Sequence, residues 1–130
     1  MKKNILAVLL ATIWISISEF IRNEFILRSF WLRHYDKMGL IFPNAPVNGA
    51  IWGLWSLCLA IGVLFLSKKF SLLETTLLSW FFGFVFMWLV TGNLGVLPVG
   101  ILPYAIPLSF LEAFLAALII KRVTHQLKQS

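Results

Sequence analysis

The sequence predicts an all-α integral membrane protein: four transmembrane helices in a compact bundle, with an amphipathic helical extension after the first span. Three observations carry this. Hydrophobic residues make up 60% of the 130-residue chain and charged residues only 12%, roughly half the charged share of a soluble domain. Mean hydropathy is +0.91. Between Glu74 and Lys121 the chain runs 46 residues with a single charge, Glu112. Two membrane helices of ~20 residues and a short turn nearly fill that length. No room is left for a soluble catalytic domain, so residues 1–130 are read as one membrane domain.

The first span is placed at about 4–26. Lys2-Lys3, the apolar run Ile5 to Ile15 and Ser16-Ile17-Ser18 have the layout of a secretory signal. We read it as an uncleaved signal anchor that becomes the first span. Its uncharged part, residues 4–18, gives roughly 22 Å of helix at ~1.5 Å per residue. Crossing a core of ~30 Å therefore requires it to carry Glu19 and Arg22.

Residues 22–37 follow as the amphipathic segment. At ~100° per residue, Phe20, Leu27, Trp31 and Tyr35 share one face, and Arg22, Ser29, Arg33 and Asp36 the other. Glu24 and Arg28 form an i,i+4 pair. Such a segment suits the headgroup layer. Phe42-Pro43-Asn44-Ala45-Pro46 ends it, and Pro46 suits the start of the second span, about 47–67. Ser67-Lys68-Lys69-Phe70-Ser71 makes a short turn into the third span, about 75–92. A Gly/Pro-rich outer loop, about 92–107, leads to the fourth span, about 104–121.

Small residues recur at helix-packing spacing. They are Ala7 and Ala11 in the first span, then Gly49, Gly53, Ser56 and Ala60 in the second. Ser79 and Gly83 mark the third, and Ser109, Ala113, Ala116 and Ala117 the fourth.

Lys and Arg set the orientation. With four spans and the N-terminus inside, Lys2, Lys3, Lys68, Lys69, Lys121, Arg122 and Lys128 are cytoplasmic, and Arg22, Arg28, Arg33 and Lys37 are not. That excess favours a cell-membrane protein with both termini cytoplasmic. It is modest enough to leave dual topology open. The net charge of +6 is explained in the same way, and no nucleic-acid partner is expected.

A carboxylate inside a span is expensive and marks a candidate site. With the N-terminus inside, the non-cytoplasmic half of the bundle collects Glu19, Arg22, Asn23, Asn48, Asn93 and Glu112, while the other half is nearly all apolar. These six are the candidate ligand-binding residues. Arg22 offers a planar donor fork, Glu112 can bind a cation or exchange a proton, and the Asn side chains are neutral ligands. Broken helices in transporters build such sites.

Transport, a channel, or binding of an ion or small polar ligand is therefore the expected function. A homo-oligomer surrounded by membrane lipid is the expected state, because four short helices leave little room for a full pathway. The alternative is an accessory or anchor subunit whose polar cluster is structural or binds a partner helix. A lipid-modifying enzyme would have to use Glu19, Glu112 and His34, but no triad spacing, metal motif or phosphate loop supports it. No catalytic residue, metal or cofactor is assigned. Cys58 is alone, which rules out an internal disulfide and Cys-rich metal sites.

Overall fold

The computed structural model describes residues 1–125, and their regular structure is all helical. Lys128, counted above among the cytoplasmic charges, lies outside the described residues. In chain order the helices are α1 (Lys2–Ile26), α2 (Arg28–Lys37), α3 (Pro46–Ser67), α4 (Leu72–Asn93) and α5 (Val99–Val123). Four of them, all but α2, are long and apolar enough to cross a membrane.

Local chemistry fixes their ends. Pro46 sits in the first turn of α3, after Ala45 in extended conformation, where its missing N–H costs nothing. α4 starts earlier than expected because Ser71 and Glu74 form a capping box. The Ser71 hydroxyl accepts from the Glu74 N–H, and the Glu74 carboxylate accepts from the Ser71 N–H. α2 and α4 both end on glycines in the left-handed region, Gly39 (φ 69°) and Gly95 (φ 75°). The N–H groups of Leu40 and Val96 bond back to Tyr35 and Thr91, the paired pattern that closes a helix end.

The outer loop is shorter than its Gly/Pro content suggests. Pro103 and Pro107 lie inside α5, which opens with a 3₁₀ turn, Val99–Ile101. Pro103 falls where no helical bond would form anyway. Pro107 forfeits only the bond to the carbonyl four residues back.

Helix α1 packs on α3 and α5, and α4 packs on the same two, so α1 and α4 flank an α3–α5 pair. One core joins Ala7, Ala11 and Ile15 of α1 to Ala60, Val63 and Leu64 of α3 and Ala116, Ala117 and Ile120 of α5. The small-residue stripes of α1 and α5 therefore do meet, as close backbone approach requires. In α4, Gly83 is also a contact: a Cβ there would lie 3.1 Å from Leu59 Cδ1. The α3 stripe splits. Ser56 and Ala60 are buried, but a Cβ at Gly49 or Gly53 would meet nothing within 4 Å. Gly49 is exposed and Gly53 half-buried, so neither glycine is a close helix–helix contact.

The distribution of polarity is inside-out. Leu9, Ile13, Ile17, Ile51, Leu54, Phe82, Leu89 and Leu111 are exposed, whereas Glu19, Arg22, Ser56, Thr75, Thr76, Ser79, Ser109 and Glu112 are buried. A second, smaller core at the other end joins Leu27, Leu97, Ile101 and Ala105, with Phe30, Trp31 and Trp88 against it. Through it α2 folds over the turn between α4 and α5. Here the helical-wheel expectation changes. Arg22–Ile26 is wound as a π turn, whose extra residue shifts the phase of everything after it. Arg22, which opens that turn and is assigned to the polar face, is buried. Phe20, assigned to the apolar face, precedes the turn and is 57% exposed on α1, where other apolar side chains also face outward. Trp31 and Tyr35 stay together, both against Phe42, with Tyr35 edge-on to it.

Candidate functional site

Two carboxylates share one guanidinium in the middle of the bundle. Glu19 and Arg22 are one turn apart on α1, and their side chains are ion-paired. The other arm of the fork, Arg22 Nη1, donates to Glu112 Oε1 at 3.5 Å. Side chains on a helix lean toward its N-terminus, so Arg22, near the end of α1, reaches back toward mid-span where Glu112 sits on α5. All three side chains are sealed, at 5%, 7% and 0% exposure for Glu19, Arg22 and Glu112.

The surroundings hold the triad from several helices. Asn23 donates to Glu19 Oε2 at 3.0 Å and to the Glu19 carbonyl at 3.1 Å. Asn23 Oδ1 accepts from Trp31 Nε1 at 3.1 Å, which ties α2 to the site. Trp14 Nε1 donates to the Glu112 carbonyl at 3.0 Å. The Arg22 guanidinium lies 5.3 Å from the centre of the Phe84 ring, a cation–π contact from α4. Phe84 in turn packs edge-on against Trp55 of α3. One turn before Glu112, Ser109 accepts from Trp80 Nε1 at 2.9 Å.

Three irregularities in the helices surround this level. Arg22 opens the π turn of α1. Phe84 lies in a second π turn, Phe81–Val85 of α4. Pro107 lies within the continuous helix α5, five residues before Glu112, and removes one backbone donor there. Single π turns inside α-helices occur frequently at functional sites.

The polar accounting is uneven. Buried hydroxyls are satisfied by backbone carbonyls one turn away: Ser56 on Trp52, Thr76 on Leu72, Ser79 on Thr75. Glu112 Oε2 is different. It is the one buried side-chain nitrogen or oxygen without a hydrogen-bond partner among the described residues. With both carboxylates ionised, the single guanidinium would leave one negative charge uncompensated. The arrangement has a place for one more positive charge, a proton or a small cation.

Of the six sequence candidates, Glu19, Arg22, Asn23 and Glu112 come together. Asn48 is half-buried in the first turn of α3 and Asn93 is exposed at the last residue of α4, and neither side chain hydrogen-bonds to the triad. His34, the third residue of the enzyme alternative, donates from Nε2 to the Gly95 carbonyl at 2.7 Å. The pairing of Glu24 with Arg28 is present, at 3.2 Å on the surface.

Sequence reasoning missed Phe84, because an aromatic in an apolar run carries no sign that a cation lies under it. It also missed Lys121. That residue is 2% exposed, and Nζ donates to the carbonyls of Ser67 at 3.0 Å and Phe70 at 2.7 Å. It caps the C-terminal end of α3, where the helix dipole favours a cation. No protein-family model, curated protein or solved structure matches the chain.

Proposed function

We propose that this chain is a small polytopic membrane protein that binds an exchangeable proton or small cation at the Glu19–Arg22–Glu112 triad, as part of transport. The observation that carries this reading is the orphaned Glu112 Oε2. A buried, unpartnered carboxylate oxygen is costly, more so at the depth of a bilayer. A cation that comes and goes would give that cost a purpose. The closed site, with irregular turns in α1 and α4 and a proline in α5, favours a transporter that alternates access over an open pore. Asn23 and Trp31 extend the site toward α2, which would lie along the headgroup layer as an amphipathic segment. The work of a homo-oligomer is part of the reading: the bundle is narrow, and the bare Gly49–Gly53 edge of α3 leaves room for close approach of another helix.

A second reading has its own support. Glu19, Arg22 and Phe84 already make a complete buried cation site, which would serve an accessory subunit as structural glue. Glu112→Gln separates the two, because its amide puts a donor where a bound proton would be. On the transport reading, the purified wild type shows a carboxyl infrared signal that responds to pH or to sodium in place of choline. Glu112→Gln abolishes that signal and still assembles with an unchanged thermal midpoint. On the structural reading, the wild type gives no ion-linked signal and Glu112→Gln lowers the midpoint.

A further inference from the structure

Away from the triad, a groove of about 260 Å³ runs between α2 and the start of α5. One wall is Phe30, Arg33, His34 and Lys37, and the other is the chain from Pro98 to Gly100. Arg33 and Lys37 are exposed and one helical turn apart, so they project to the same side of α2. Neither forms an ion pair among the described residues, in contrast to Arg22 and Arg28. Arg33 is nevertheless held in place. Its Nε donates to the Ser29 carbonyl at 3.2 Å, and its Cζ sits 5.3 Å from the Phe30 ring centre. That posture leaves the terminal guanidinium nitrogens for a ligand.

The floor is apolar and fixed. The Phe30 ring abuts Gly100 so closely that a Cβ there would lie 3.4 Å from it. The bond from His34 to Gly95 pins α2 over the turn. The opposite wall is the first turn of α5, where leading N–H groups carry partial positive charge. The volume is below the ~300–1,000 Å³ of clefts that enclose drug-sized ligands, so it suits a headgroup better than a whole organic substrate. Two uncompensated cations, a helix start and an apolar floor match a phosphate that carries a hydrocarbon body. The groove lies where α1 ends and α4 turns into α5, the level at which helices that cross a bilayer meet its headgroups.

We propose that this groove binds the phosphate headgroup of an anionic membrane phospholipid. A free phosphate ion would use the cations and leave the apolar floor without a purpose. The test uses the full-length protein in neutral detergent, offered dioleoylphosphatidylglycerol or dioleoylphosphatidylcholine, with retained lipid counted by native mass spectrometry. The anionic lipid is expected to be retained with about thirtyfold preference, since each of the two basic side chains contributes about 1 kcal/mol toward anionic lipid. The double variant Arg33→Gln/Lys37→Gln should lose that preference, and Lys68→Gln/Lys69→Gln, a matched pair of exposed cations at the other end, should keep it. Should the double variant not fold, Lys37→Gln alone is expected to weaken retention several-fold. Equal retention of the two lipids overturns the proposal, as does an equal loss in the control pair. Displacement of the lipid by millimolar inorganic phosphate also overturns it, by making the site one for the free ion.

Discussion

Arg22 is the residue on which the centre of the bundle turns. It pairs with Glu19 and Glu112 and lies over Phe84, so three helices meet at one guanidinium. Removing one member of a buried pair strands the other charge, at a cost of about 3–5 kcal/mol. Arg22→Ala is therefore expected to leave two buried carboxylates without a cation and to lower thermal stability sharply, measured as the melting midpoint in detergent. Arg22→Lys should recover only part of the loss, because an ammonium cannot hold both carboxylates as a planar fork does. An unchanged midpoint for Arg22→Ala would remove the triad as an organising feature. The sequence identified Glu19, Arg22, Asn23 and Glu112 as polar groups where polar groups are costly. It did not reveal which of the Asn residues joins them. Asn23 does so because it lies four residues from Glu19 on one helix, a local relation. Asn48 and Asn93 depended on how helix ends meet in space.

At the scale of the element, helix ends and breaks hold the design. The C-terminal end of α3 presents carbonyls that no further turn satisfies, and Lys121 from α5 bonds two carbonyls there. Hydrogen bonds to a charged group contribute about 1.5–3 kcal/mol each. Lys121→Met keeps the packing of the stem and removes the cap. It is expected to destabilise the protein by about 2–3 kcal/mol and to speed amide hydrogen exchange in the 64–71 segment. Lys121→Arg, with donors of its own, should retain most of the stability. The capping box at Ser71 and Glu74 was missed, with the third span begun at 75, although the Ser-x-x-Glu spacing carries its signal. The cap by Lys121 has no such signal, because its partners lie 51 and 54 residues away in the chain. The π turn at Arg22–Ile26 escaped in a different way. A helical wheel assumes constant phase, and one extra residue rotates all that follows.

At the scale of the molecule, the four long helices place Lys2, Lys3, Lys68, Lys69 and Arg122 at one end and α2 with the α4–α5 turn at the other. By the positive-inside rule the first end is the one expected in the cytoplasm. In a background with Cys58→Ala, a membrane-impermeant thiol reagent applied to intact cells is expected to label Val96→Cys and to spare Ser71→Cys. Labelling of both positions would mean dual topology, and the triad would then have no fixed side. The sequence by itself determined the all-helical class, the number of helices long and apolar enough to cross a membrane and the short list of charges in apolar segments. Those follow from hydropathy and from the free energy of a charge in hydrocarbon, which are properties of a segment alone. Only the tertiary structure decided that Glu112 and Glu19 share Arg22, that Glu112 Oε2 is left without a partner, and that Arg33 and Lys37 border a groove. Each of these depends on which faces of distant helices meet, and packing settles that through side chains far apart in the chain.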